Sequence, residues 1–235
     1  MNPAPMSPLP RLPHPVFNRL RARRARLLWW WHRHRLGGLK RALDLLVVVP
    51  ALLLLSPLLA VVALAIWLQD RGPVLFWQRR VGLHGVEFAF PKFRSMRVDA
   101  EAVREQLLRT NEHGEGGVTF KMKRDPRVTT VGRWIRRTSI DELPQLWCVL
   151  RGTMSLVGPR PPLVSEVSRY SLDDRQRLSV LPGLTCIWQV NGRSEVPFPQ
   201  QVEMDLAYIR EPSLWADIAL LLKTVPAVIR GRGAY

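Results

Sequence analysis

Twenty-four consecutive residues, Leu45 to Leu68, carry no charge. Nothing else in the chain restricts its fold as much. As one straight helix the run would extend about 36 Å, enough to cross a bilayer. Two features argue for a different course. Ser56-Pro57 stands at its middle, and proline removes a helical hydrogen bond and crowds the preceding turn. Each half would then be about 18 Å long, close to the depth of one leaflet. Both flanks are also basic: Lys40 and Arg41 on one side, Arg71, Arg79, Arg80, Lys92 and Arg94 on the other. Basic flanks favour the cytoplasmic side. One span cannot put both flanks there, whereas a helix that enters and returns at Ser56 and Pro57 can. A kinked spanning helix stays the competing reading.

The charge balance points to an anionic partner. Lys and Arg outnumber Asp and Glu by 35 to 19, for a net charge of +16 in 235 residues. Nucleic acid, acidic lipid and phosphorylated substrate all fit such an excess. The first 43 residues hold ten Lys/Arg and no acid. A proline-rich stretch, Pro3 to Pro15, is expected to be disordered. Behind it, arginines border the cluster Trp29-Trp-Trp31, a pairing suited to lipid headgroups, although a mobile basic tail has the same composition. The apolar run begins too late for a cleaved signal peptide. Two cysteines, Cys148 and Cys186, fall in no metal-ligand spacing, and five histidines leave little for a zinc site. The layout expected is a basic segment at 1–43, a membrane helix at 44–69 and a body at 70–235.

That body reads as soluble. Gly72-Pro73 marks a turn before the apolar Val74 to Trp77, and Val86 to Phe90 suits a strand. Ala100 to Arg109, Val131 to Arg137, Leu143 to Leu150, Arg175 to Val180, Val202 to Tyr208 and Leu214 to Ile229 suit helices, and Asn111 to Gly117 a glycine-rich loop. No zinc finger or helix-turn-helix signature supports a nucleic-acid partner, and no Ser-His-Asp arrangement or Walker loop is present.

What the body does offer is carboxylates among arginines. Asp99 follows Lys92-Phe-Arg94 and precedes a helix-like stretch. An Asp there can cap free N–H groups, and the same helix end favours phosphate. A charged carboxylate facing a phosphate is a candidate nucleophile if Lys92, Arg94 and Mg²⁺ screen the repulsion. An ordinary N-cap uses the same residues. A second acidic pair, Asp141 and Glu142, follows Arg136 and Arg137. Ser139 with Glu142 has the spacing of a capping box, the role expected of it. Arg160 lies between prolines in Val157-Gly-Pro-Arg-Pro-Pro162. A guanidinium fork on so stiff a backbone suits phosphate, as well as a surface turn.

Read together, the segments resemble the bacterial sugar transferases, the monotopic phosphoglycosyl transferases. The resemblance rests on Lys40-Arg-x-x-Asp44, Ser56-Pro57, Gly72-Pro-Val-Leu-Phe76, Gln78-x-Arg-Val-Gly82, Lys92-Phe-Arg-Ser-Met96, Asp125-Pro-Arg-Val-Thr129, Thr138-Ser-Ile-Asp-Glu-Leu-Pro-Gln-Leu146 and Met154-Ser-Leu-Val-Gly-Pro-Arg-Pro161. Later segments, Pro182-Gly-Leu-Thr185, Trp188-Gln-Val-x-Gly-Arg193, Asp205-x-x-Tyr208 and Gly231-Arg-Gly-Ala-Tyr235, resemble the hexose-1-phosphate members.

The resemblance implies an α+β, mainly helical, monotopic membrane protein. Its re-entrant helix would be broken at Ser56-Pro57, with a cytosolic catalytic domain at the cytoplasmic face of the bacterial inner membrane. It implies transfer of a hexose-1-phosphate from a UDP-hexose to undecaprenyl phosphate with Mg²⁺, through a covalent aspartyl intermediate and with release of UMP. This is the first membrane step of exopolysaccharide, capsule or O-antigen synthesis. Asp99 is then the nucleophile and metal ligand, with Glu101 as its acidic partner. Lys92, Arg94, Arg136, Arg137 and Arg160 bind substrate. Ala100 separates two acids that are adjacent in the small members, so Glu101 stays open as the nucleophile. Cys148, Thr153 and Cys186 stand where Asn, an acid and Gly are usual. A non-catalytic membrane-tethered scaffold for polysaccharide assembly is the alternative. A homo-oligomer is compatible with either.

Overall fold

The computed structural model of the chain describes residues 15–100, 125–192 and 195–230. A long helix, α1 (Pro15–Asp70), comes first. The first forty residues form one unit, and everything from Arg41 onward forms the other. Within this second unit an antiparallel hairpin follows α1, made of β1 (Leu75–Val81) and β2 (Glu87–Phe93). Next come α2 (Thr130–Arg137), a 3₁₀ turn (Ile140–Gln145) and α3 (Leu146–Arg151). Short strands β3 (Ser155–Val157) and β4 (Gly183–Thr185) pair in parallel across α4 (Val164–Val167). Three helices, α5 (Ile187–Asn191), α6 (Phe198–Arg210) and α7 (Leu214–Arg230), complete the described chain. The expected class was α+β, mainly helical, and the described residues show helices with two small two-stranded sheets. The strand expected at Val86 to Phe90 continues to Phe93, and the helix expected from Leu143 starts as a 3₁₀ turn containing Pro144. Beyond Ala100, the helix expected to Arg109 and the loop Asn111 to Gly117 lie outside the described residues.

Helix α1 runs unbroken through Pro50 and Pro57. Its Gly37–Asp70 part is long and apolar enough to cross a membrane. Pro57 cannot donate to the carbonyl four residues back, Leu53. The Ser56 hydroxyl donates to that same carbonyl at 2.8 Å. The side chain thus replaces the missing N–H, which accounts for serine directly before proline and for a helix that passes the site without a gap.

One face of α1 belongs to the core. Val48, Leu52 and Leu55 pack with Phe90, Val149 and Met154, and Leu59, Val62 and Ile66 pack with Phe93 and Ile135. These positions recur every four and three residues, the spacing of a single helical seam. The opposite face, with Leu46, Leu53, Leu54, Val61, Leu64 and Leu68, is exposed.

Both ends of the apolar stretch are tied to the same body. At one end Arg41 donates to the carbonyls of Val149 (2.5 Å) and Leu150 (2.8 Å), in the last turn of α3, where carbonyls lack the usual intrahelical partners. Asp44 accepts from Leu156 N–H at 2.9 Å and from the Ser155 hydroxyl at 3.1 Å. At the other end Gln69 accepts from Val131 N–H at 3.3 Å, and Asp70 pairs with Arg94.

Candidate functional site

Alternation along β2 builds the site. Phe90 and Lys92 share a face, and the register sets Gln78 opposite Phe90 and Arg80 opposite Phe88. The cationic groups of Arg80 and Lys92 therefore flank the Phe90 ring, 5.3 and 5.6 Å from its centre, where an aromatic face attracts positive charge. Arg160 approaches from the proline-rich segment. Pro159 O accepts from Gly183 N–H at 2.9 Å, Pro161 O from the Arg80 guanidinium at 3.0 Å, and Pro162 O from Val81 N–H at 3.0 Å. The first of these bonds depends on glycine. A Cβ on Gly183 would lie 2.0 Å from the Gly158 nitrogen. Fixed φ angles and held carbonyls together make the stiff mount expected for Arg160.

Glu142 links the cations. Its Oε1 accepts from Lys92 Nζ at 2.8 Å and from Arg160 Nη2 at 2.7 Å. The capping box expected of Ser139 and Glu142 is not formed. Ser139 is left-handed (φ 56°) and makes no side-chain cap. The carboxylate is engaged by two cations instead, and hydrogen bonds between charged partners outweigh one to a neutral N–H.

The electrostatics follow from crowding charge under cover. Burial opposes the charge of Glu142, yet Arg160 and Lys92 hold its carboxyl well below the usual carboxylate range. Burial lowers the Lys92 ammonium from its ordinary value, against the pull of Glu142. Burial, with repulsion from Arg160, pushes Arg80 down to about 10. Burial and the neighbouring Glu142 push Asp141 up to about 6, against Lys92, Arg136 and Arg160. Three cations thus surround one firmly ionised carboxylate, which leaves positive charge to meet an anion.

Arg94 takes a different direction. It is 8% exposed and pairs with Asp70 at the end of α1. Its Nη1 has no hydrogen-bond partner. Gly72 makes room for it, since a Cβ there would lie 2.1 Å from that nitrogen. With Ile66, Gln69, Asp70, Met96 and Thr129, Arg94 lines a shallow depression.

Asp99 is 55% exposed, its carboxylate 3.2 Å from Arg97 Nε. Glu101 lies outside the described residues. Arg136 stands within electrostatic reach of Asp141 and Asp125, and Arg137 is exposed. The residues expected at the site therefore form groups. Lys92 and Arg160 meet through Glu142, Arg94 turns to α1, and Asp99 stands beside Arg97.

Arg80, Asp70 and Asp125 were not among the expected site residues. Arg80 could have been found by pairing Val74–Trp77 and Val86–Phe90 as a hairpin. Asp125 is brought across from Asp99 by the Met96–Val128 bridge and by the Arg97 N–H, which donates to Arg127 O at 3.0 Å. Arg127 engages both of its carboxylate oxygens. Burial opposes its charge, but these bonds hold the carboxyl below its usual value. Among the described residues no three His, Cys, Asp or Glu side chains gather as a metal cage.

Known proteins share this layout in sequence. The chain matches the bacterial sugar transferase family over residues 35–231. The galactosyl transferase CpsE of Streptococcus agalactiae is 45% identical over 196 residues, 83% of this chain and 43% of that protein. The undecaprenyl-phosphate galactose phosphotransferase of Salmonella typhimurium is 44% identical over 202 residues, 84% of this chain and 42% of its own length. The exopolysaccharide production protein ExoY of Rhizobium meliloti is 41% identical over 203 residues, 85% of this chain and 90% of its own length. The chain spans less than half the length of the first two and most of the third. A match across most of the chain, at this identity, makes it a member of the bacterial sugar transferase family.

Proposed function

We propose that the chain transfers a hexose-1-phosphate from a UDP-hexose to undecaprenyl phosphate, releasing UMP, at the cytoplasmic face of the bacterial inner membrane. This would be the first membrane step of exopolysaccharide, capsule or O-antigen synthesis. The observation that carries the reading is the meeting of Lys92 and Arg160 at Glu142, with Arg80 beside Lys92 on the Phe90 ring. A fixed surplus of cations suits a diphosphate, and an exposed apolar helix face suits a polyprenol acceptor. The relatives' names agree. One in Salmonella typhimurium is named for undecaprenyl phosphate and galactose, one in Escherichia coli for UDP-glucose.

In this reading Asp99 attacks the β-phosphorus of the donor. The bond from that phosphorus to the bridging oxygen breaks, and UMP leaves with the oxygen. An oxygen of undecaprenyl phosphate then attacks the same phosphorus, and Asp99 departs as a carboxylate. Glu101 is the acidic partner, Lys92 and Arg160 bind the diphosphate, and Arg94, Arg136 and Arg137 assist in holding anions. An exposed carboxylate fits Mg²⁺, which takes one or two protein carboxylates together with substrate phosphates. Bound by Asp99, the ion would neutralise charge between phosphate and carboxylate. UMP release from a panel of UDP-sugars with undecaprenyl phosphate is the direct test. Release is expected with UDP-glucose or UDP-galactose, lost in EDTA and restored by Mg²⁺. Full turnover in chelator would remove the metal from the scheme, and no UMP from any donor would favour the scaffold.

Attachment is proposed to be monotopic and re-entrant, with any turn taken as a bend at Ser56-Pro57 inside a continuous helix. Arg41 and Asp44 at one end, and Gln69 and Asp70 at the other, bind a single body, and this supports both ends lying on one side. Arg33 and Arg94 are expected on the cytoplasmic side, and single cysteines at Arg33 and at the exposed Arg79, on the same flank as the buried Arg94, are expected to label only from the cytoplasm in oriented vesicles. Labelling of position 33 from the periplasm would establish a span instead.

A further inference from the structure

We propose that Glu142 is a positioning residue of the donor site, joining the Lys92 ammonium and the Arg160 guanidinium into one preformed seat for the donor's diphosphate. The inference rests on the proposed transfer reaction. Its basis is geometric. A single oxygen, Glu142 Oε1, accepts from Lys92 Nζ at 2.8 Å and from Arg160 Nη2 at 2.7 Å. The donors come from β2 and from the segment between β3 and β4, 50 and 18 residues away in sequence. Their side chains are only 20% and 23% exposed. Two cations so close repel each other, and without an anion between them they would separate or shed charge.

Lys92 is the one that can shed it. Arginine keeps its proton throughout the accessible pH range, whereas a covered lysine loses its own readily. The charged groups facing Lys92 are Glu142 and Asp141 from the 3₁₀ turn, Arg160 from the proline segment and Arg80 from β1. Burial already lowers its ammonium, and Glu142 is the largest influence opposing that. Asp141 substitutes poorly, because its influence on Lys92 is weaker than that of Glu142 and of the opposing Arg160.

A contrary role for Glu142 is a stand-in anion that a phosphate must displace. The charge arithmetic disfavours it. Removing the carboxylate deletes one negative charge, but it also loosens the hold of Lys92 on its proton and lets the two cations move apart, so the seat loses the spacing that would grip a phosphate.

The test uses the full chain in nanodiscs, with Glu142→Gln, Glu142→Asp, Lys92→Arg and the double variant Lys92→Arg/Glu142→Gln. UMP release is followed against donor concentration between pH 6.5 and 9.5. Glu142→Gln is expected to raise KM for the donor at least about tenfold, the scale for a lost bond to a charged group, with a smaller change in kcat. The basic limb of its kcat/KM profile is expected to move to lower pH by about one unit or more. Glu142→Asp should recover part of both. In the Lys92→Arg background, removal of Glu142 should no longer move the basic limb, because arginine cannot deprotonate there.

A limb that moves equally in both backgrounds would overturn the inference, as would an unchanged KM. A lower KM would establish the stand-in anion instead. If Glu142→Gln does not fold, Glu142→Asp with and without Lys92→Arg reads the same dependence. An inactive wild type would defeat the transfer reading itself, whereas an active wild type with an indifferent Glu142 would defeat only this proposal.

Discussion

Asp99→Asn is expected to leave a folded, membrane-bound protein whose UMP release falls by about 10³-fold or more, as for other lost nucleophiles. The substitution keeps the size of the side chain and removes the charge that can form an acyl phosphate. Folding should not suffer, because Asp99 is exposed and its ion pair with Arg97 is a surface one, worth little to stability. The companion measurement is mass spectrometry of enzyme incubated with UDP-sugar alone. A phosphosugar on Asp99 supports the assignment. One on Glu101 keeps the mechanism and moves the role. One on Asp125 would show that a carboxylate clamped by Arg127 can be released for attack. If no adduct forms and UMP appears only with lipid present, transfer is direct and the covalent step is wrong.

The largest effect on stability is expected at Asp205. Arg177 Nε donates to Asp205 Oδ2 at 2.8 Å and Nη2 lies 2.5 Å from the same oxygen. Arg177 also donates to the Tyr170 hydroxyl at 3.0 Å and sits over the Tyr170 and Phe198 rings. Asp205 is 1% exposed and Arg177 5%. Asp205→Asn strands the guanidinium without a counter-charge and should cost about 3–5 kcal/mol. Thermal unfolding in detergent should show a midpoint lower by about 10 °C, given the sensitivity of a chain this long. A double replacement, Arg177→Met with Asp205→Leu, should lose less than Asp205→Asn alone, because it removes the stranded charge as well. A single variant that melts within a degree or two of wild type would show that water reaches Arg177 and that the pair is not sealed.

How legible these features were in the sequence depended on range. Val131 to Arg137 and Leu214 to Ile229 carry helical periodicity in their own residues, and the helices form there. Arg160 could be read as rigidly carried because the prolines that hold it are its neighbours. The inner face of α1 could not be read. A run that is apolar on every side has no periodicity to show which side is packed, so Val48, Val62 and Ile66 look like Leu53 and Leu54 until the body is in place. Glu142 misled for a related reason. Serine three residues ahead of glutamate is a local signal for a cap, and the signal that outweighs it, Lys92 and Arg160, arrives only through tertiary structure. The pairing of Arg80 with Lys92 likewise depends on a hairpin register that neither strand states alone.

The double use of α1, apolar and exposed on one side and core on the other, bears on how such proteins diversify. An anchor joined by a linker can be exchanged or discarded by recombination. Here the apolar helix supplies Val48, Val62 and Ile66 to the interior and Asp44 to the backbone of β3. Cutting the chain after Asp70 would not release a soluble enzyme but would open two hydrophobic clusters at once. Helix and body are therefore constrained to be inherited as one module, to which other segments can be added. The family match agrees with this in its boundaries: it begins at residue 35, ahead of the apolar run, and continues to residue 231.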